Sequence, residues 1–145
     1  MPRAATTRRN AEELMRSPIV FGALFGLALA WAAPASAQAD IAAGRIVFNQ
    51  KCSNCHNLSA DPGNGPKGPN LMGVVGRTAG TRAGWEFSAP LRDSKIVWTE
   101  DNLGKWLADP DGFVPGSTMP MKVPSKFERE DVLGYIKSVT AGSEK

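Results

Sequence analysis

Apolar residues Ile41, Ala42, Ile46, Val47 and Phe48 recur near a 3.6-residue period, which predicts a helix from position 41 with Asp40 as its N-cap. Gly44 lies inside that stretch and leaves room for a second helix to approach. A later segment, Ser125-Lys126-Phe127-Glu128, has the order of a capping box. Val132, Leu133, Tyr135, Ile136 and Val139 follow on one face, and Gly142 is the expected stop. Between the two, Thr99 opens a shorter helix carrying Leu103, Trp106 and Leu107, with Asp109-Pro110 expected to close it. Residues 61–84 are rich in Gly and Pro and have neither helical nor strand periodicity, so they predict loop. The pattern is that of a small all-α domain whose helices are joined by a long irregular segment.

The N-terminus has a different character. Arg3, Arg8, Arg9 and Arg16 precede an unbroken apolar run from Ile19 to Ala33, and Ala35-Ser36-Ala37 supplies small residues of the kind a signal peptidase accepts. A run of about 15 residues spans roughly 22 Å as a helix, short of the ~30 Å hydrocarbon core, and Pro34 interrupts it. Residues 1–37 are therefore expected to be a signal peptide cleaved after Ala37, leaving a mature domain of residues 38–145 in the periplasm. Retention as a membrane anchor is the alternative. The Arg8-Arg9 pair lacks the apolar residues that a twin-arginine signal places soon after it.

Composition narrows the function further. A chain of 145 residues holds one domain and excludes a multidomain enzyme. Formal charge is +3, but setting aside the four arginines and two glutamates of the first sixteen residues leaves 13 basic and 12 acidic side chains. A mature chain so close to neutral does not read as a nucleic-acid binder.

The chain contains two cysteines and one histidine, and all three fall together in Cys52-Ser53-Asn54-Cys55-His56. A disulfide across two residues would close a very small loop and constrain the unfolded chain little. A thioredoxin-like pair needs a βαβ setting that is absent here, and a zinc site needs about four ligands of Cys, His or carboxylate type. The remaining reading is covalent attachment of one c-type haem per chain, with Cys52 and Cys55 adding to its vinyl groups and His56 ligating iron. On a helix, residues three apart share a face, so both thiols could reach one porphyrin edge. With no second histidine, the sixth ligand must come from Met72, Met119 or Met121, lysine being a weaker option. The turn-forming Pro115-Gly116-Ser117-Thr118 before it and Pro120 after it favour Met119 over Met121, while Met72 is expected to pack.

From about Ile41 to Val139 the sequence resembles the class I cytochromes c, the group of mitochondrial cytochrome c and bacterial cytochrome c2. The resemblance rests on the Cys52–His56 motif, Gly68-Pro69-Asn70-Leu71 through Gly76-Arg77, Trp98, and Pro115-Gly116-Ser117-Thr118-Met119. It implies that His56 and Met119 are the axial ligands and that the Pro69 carbonyl receives the other His56 nitrogen. It also implies that Trp98, Arg77 and Ser117 line the haem propionates, and that Gly44 and Phe48 cross against Val132 and Tyr135. Phe87 stands where relatives often carry a propionate-bonding Tyr, and Trp106 where many have a Tyr near the methionine. Asp111 and Gly112 replace lysines that form a positive ring in mitochondrial relatives.

The implied function is one-electron transfer between ferrous and ferric iron, not enzymatic catalysis, because both axial positions are filled. The implied partners are redox proteins: a donor such as a cytochrome bc1 complex or a periplasmic dehydrogenase, and an acceptor such as a terminal oxidase or reductase. The chain is expected to be a monomer that meets membranes only through its partners. Lys51, Lys67, Lys122 and Lys126 are the cations that could still cluster into a docking patch. A membrane-tethered or dehydrogenase-associated subunit is the alternative, and a peroxidase-like catalyst a more remote one.

Overall fold

A computed structural model of the chain describes residues 38–143; the leader expected over 1–37 lies outside the described residues. Five helices follow in order, α1 (Ile41–Lys51), α2 (Ala89–Asp93), α3 (Glu100–Ala108), α4 (Pro110–Phe113) and α5 (Lys126–Ser143). Among the described residues there is no strand, only an isolated antiparallel bridge between Thr78 and Val97. The architecture is all-α, and no described helix is long and apolar enough to cross a membrane.

The helix starts follow from local chemistry. Asp40 caps α1 by accepting from the Ala42 and Ala43 amides, which have no partner within the helix. Its own amide donates to Asp131 Oδ1 at 2.8 Å, so the cap also pins the start of α1 to α5. Thr99 caps α3 by accepting from Asn102 N. Ser125 accepts from the Glu128 amide as in a capping box, but the Glu128 carboxylate reaches across to Lys51 Nζ at 2.9 Å. The box is half made, and its acidic member ties the end of α1 to the start of α5.

Helices α1 and α5 cross at Gly44. A Cβ there would overlap the Asp131 backbone and Tyr135 Cβ, so only hydrogen permits the approach. One turn further on, the Phe48 and Tyr135 rings meet at 5.7 Å and 58°. Val47, Phe48, Val132, Leu133 and Ile136 are all buried at this crossing. At roughly 1.5–3 kcal/mol for each such side chain, it is the main apolar store of the domain. Helix α3 adds Leu103, Trp106 and Leu107 to the same core, and Trp98 packs on Trp106 with ring centroids 5.4 Å apart.

Three expectations are corrected. Helix α5 continues through Gly142 to Ser143, because Gly142 keeps helical backbone and does not adopt the left-handed conformation of a helix stop. Pro110 does not merely close α3: it opens α4 at a first-turn position, where its missing N–H costs nothing. The Cys52–His56 motif lies beyond the end of α1. Cys52 is the C-cap, and Cys55 N and His56 N both donate to Cys52 O at 3.0 and 2.9 Å. The shared face that the spacing requires is thus made by a tight turn, not by continuous helix.

Candidate functional site

The motif turn forms one wall of a largely apolar cavity whose lining includes Cys52, Cys55, His56, Pro69, Trp98 and Met119. Six of the eight residues singled out in the sequence therefore share one space. Met121 also lines it, at 41% exposure. Arg77 and Ser117 do not line it. The Arg77 guanidinium donates to the carbonyls of Met72 and Asn70, and Ser117 Oγ donates to Pro110 O at 3.4 Å. Both hold the loops behind the walls. Met72 is half-buried away from the cavity, its sulfur 3.6 Å from Ser143 Oγ.

The imidazole of His56 is fixed in both tautomer and position. Nδ1 lies 2.8 Å from Pro69 O. A carbonyl only accepts, so Nδ1 carries the proton and Nε2 keeps its lone pair. Burial lowers the pKa of the ring, opposed by the Pro69 hydrogen bond, which favours the neutral form that a metal requires. Backbone packs against the ring from behind. A Cβ at Gly68 would meet His56 Cε1, Nδ1 and Nε2, and one at Gly65 would meet the Cys55 and His56 backbone.

That backbone is held by one buried side chain. Asn70 is fully buried, and its amide nitrogen donates to the carbonyls of Ser59, Asp61 and Gly63, while Oδ1 accepts from Met72 N at 2.8 Å. Its sequence context, Gly-Pro-Asn in a loop, predicts a turn and nothing about this role. A buried Asn whose partners lie up to eleven positions away leaves no local periodicity to read.

The cysteines are free, with Cys52 buried and Cys55 partly so. Burial, and then the neighbouring Cys55, push the Cys52 thiol up to about 11 against the pull of Lys51. It is a protonated, weakly hydrated thiol facing an apolar space. On the far wall, Trp106 donates its indole N–H to Met119 Sδ at 3.1 Å. The sequence marks Trp106 only as a departure from a tyrosine; the structure shows that this indole still has a donor in reach of the sulfur.

The donor set suits one group. Two free thiols, a neutral imidazole with a free nitrogen and a thioether share a cavity lined mainly by carbon, and these residues fit a flat apolar macrocycle held by two thioethers. Comparison with known proteins agrees. The Cytochrome c family model matches residues 41–140. The chain is 36% identical over 105 residues to cytochrome c of Guizotia abyssinica, covering 70% of this chain and 92% of the relative. It is 39% identical over 106 residues to cytochrome c of the alga Chlamydomonas reinhardtii, covering 70% and 91%. The chain belongs to the cytochrome c family, whose members are electron carriers and in which membership implies a covalently bound haem c.

The periplasmic location expected from the leader is corrected by the same comparison. Relatives from Guizotia abyssinica, Sesamum indicum, Ulva intestinalis and Chlamydomonas reinhardtii are eukaryotic proteins, from cells that have no periplasm. An apolar segment of this kind, where it acts as a leader, specifies transport and not a destination.

Proposed function

We propose that the domain of residues 38–145 carries one electron at a time on a single haem c bound through Cys52 and Cys55, with His56 and Met119 as axial ligands, and that residues 1–37 are a leader outside that domain. The haem, when bound, supplies an iron that cycles between ferrous and ferric states. Cys52 and Cys55 would hold the group by adding their S–H bonds across its vinyl double bonds, sulfur to one carbon and hydrogen to the other, with no oxidant needed. His56 presents Nε2 because Nδ1 is bonded to Pro69. Met119 presents a polarizable sulfur, and Trp106 Nε1 limits its rotation by taking up one lone pair. The apolar lining would exclude water from the bound group, which would disfavour the added charge of ferric iron and raise the potential.

The observation that carries this reading is the convergence of Cys52, Cys55, His56 and Met119 on one apolar cavity. If His56 and Met119 both bind the iron, oxygen and peroxide would meet no open site, which favours an electron carrier over a peroxidase-like catalyst. Its partners are redox proteins, a donor and an acceptor that approach as separate molecules. The test is the protein matured with haem. On denaturing electrophoresis the haem stain should stay with the polypeptide, and the ferric spectrum should show the methionine-to-iron absorption band. Haem released completely on denaturation would reject covalent attachment.

A further inference from the structure

The loop that carries Met119 is held by few bonds. Among the described residues, no backbone amide or carbonyl from Thr118 to Lys122 makes a hydrogen bond, and Pro120 has no amide to offer. Before this segment, Gly116 N donates to Asp111 Oδ1 at 3.1 Å. After it, the fully buried Val123 donates its amide to Leu107 O at 2.7 Å. Between these anchors two side chains do the holding. Met119 Sδ accepts from the Trp106 indole at 3.1 Å, and Lys122 Nζ pairs with Asp109 Oδ1 at 2.6 Å. Trp106, Leu107 and Asp109 belong to the last turn of α3 and its C-cap, so one short stretch of helix receives all three links.

Asp109 is seated more firmly than an exposed carboxylate usually is. Its amide donates to Lys105 O at the end of α3, and its carbonyl accepts from Phe113 N in α4. A Cβ at Gly112 would overlap Asp109 Oδ2, so the carboxylate lies in space that only a glycine leaves. This is a structural reason for Gly112 at a position where mitochondrial relatives carry a lysine. Lys122, in turn, lies three positions from Met119 with Pro120 between them, and the proline ring fixes φ and stiffens the connection.

We propose that Asp109 is a positioning residue for Met119: through Lys122 it closes the far arm of the methionine loop and so sets how readily the iron exchanges its methionine for another ligand. The inference rests on the reading of Met119 as an axial ligand. Asp109 does not line the cavity and acts on the sulfur only through the loop. Without it, the Thr118–Lys122 segment keeps a single side-chain tie, the Trp106 indole. An exposed ion pair biases an equilibrium by only about twofold to fivefold. A segment with no backbone bonds opens at low free energy, so a bias of that size governs it.

The test uses the haem-loaded protein with imidazole as the competing ligand, at a pH where imidazole is neutral, so that the readout follows the loop and not the local charge. Loss of the methionine-to-iron band with added imidazole gives the affinity. Asp109→Asn should tighten imidazole binding about twofold to fivefold at low salt. Lys122→Gln should do so by the same factor, and the double variant should match the single ones, because all three remove one link. At ~1 M salt, where the Debye length falls to ~3 Å, the wild type should move toward the variants while the variants stay where they are. Lys122→Gln alters an exposed side chain and remains informative if Asp109→Asn does not fold.

A role of Asp109 confined to the junction of α3 and α4 would lower the unfolding midpoint of Asp109→Asn and leave the imidazole affinity of Lys122→Gln at the wild-type value. That result overturns the proposal, and so do effects of the two variants that add in the double variant. Neither touches the haem reading. A wild-type protein with covalent haem and no methionine band would instead reject the axial assignment on which the proposal rests.

Discussion

The two walls of the cavity are built on different principles. The histidine wall is backbone pressed on the motif's backbone and imidazole: Gly65 and Gly68 admit no side chain, Lys67 N donates to Cys55 O, Leu71 N donates to Asn57 O, and Asn70 ties three carbonyls from within. The methionine wall, residues 114–124, is a surface loop. It is held by Ser117 N on Val114 O, Val123 N on Leu107 O, the Trp106 indole on Met119, and an exposed Lys122–Asp109 pair at 2.6 Å. Pro115, Gly116, Thr118, Pro120, Met121 and Lys122 are all exposed. A wall with few buried hydrogen bonds opens at lower free energy than one whose backbone is bonded and buried. On the proposed function, the contrast implies that the histidine side would set where the iron sits and the methionine side how it behaves.

The largest effect should therefore come from the loosely held wall and appear in chemistry before it appears in stability. Met119→Leu should abolish the methionine-to-iron band, open the iron to small ligands and lower the potential on the order of 0.2 V, which is 4–5 kcal/mol for one electron. Spectroelectrochemical titration measures it. Met121→Leu, two positions away on the same wall and 41% exposed, should keep the band and shift the potential far less. If the Met121 variant loses the band while Met119→Leu retains it, the two assignments exchange.

A change to the other wall should do the reverse. Asn70→Ala strips the shared donor from the Ser59, Asp61 and Gly63 carbonyls and the acceptor from Met72 N. Water can reach some of these groups, because residues 59–63 are exposed. The expected loss is about 3 kcal/mol, more than one ordinary hydrogen bond and less than three fully buried ones. Guanidinium unfolding of the haem-loaded variant would measure it, with the methionine band unchanged below the transition. A lost band under native conditions would show that the two walls are coupled and that the contrast drawn here fails.

These walls were unequally legible in the sequence. The three long helices, their caps Asp40 and Thr99 and the Ser125 capping position follow from apolar periodicity and short-range chemistry, the crossing of the first and last helices at Gly44 follows from the family resemblance, and the structure places them as expected. The thiols and imidazole announce themselves because no other Cys or His exists in the chain. What the sequence does not carry is the supporting shell. Asn70 acts through residues up to eleven positions away, and Trp106 acts through Met119. Arg77 and Ser117, expected at the cavity, brace its loops, since a side chain's identity does not say which way its loop turns it. Periodicity locates elements; it does not aim side chains in a segment that has no period.

The smallest effect concerns how partners are drawn to the cavity mouth, and it sharpens the comparison at its rim. Of the four lysines that could form a positive patch, three are neutralised within the molecule. Lys51 pairs with Glu128 at 2.9 Å, Lys122 with Asp109 at 2.6 Å and Lys126 with Glu130 at 3.5 Å. Lys67, on the histidine side, has no carboxylate within ion-pair distance among the described residues. The Lys122 pair also holds the Asp109 carboxyl below the ordinary carboxylate range, so it stays charged and keeps its partner compensated. A field made of such local pairs decays within a Debye length, ~10 Å at 0.1 M salt, and steers little. Electron transfer to an anionic hexacyanoferrate and to a cationic cobalt complex should therefore each change by less than about tenfold between low and physiological salt, as followed by stopped-flow absorbance. Slowing of the anionic reaction alone by several orders of magnitude would mean that the exposed pairs are open in solution and that the methionine rim presents a cationic patch. In that case Lys122→Ala should remove more of the salt dependence than Lys67→Ala, whereas an intact Lys122–Asp109 pair makes Lys67→Ala the more effective of the two.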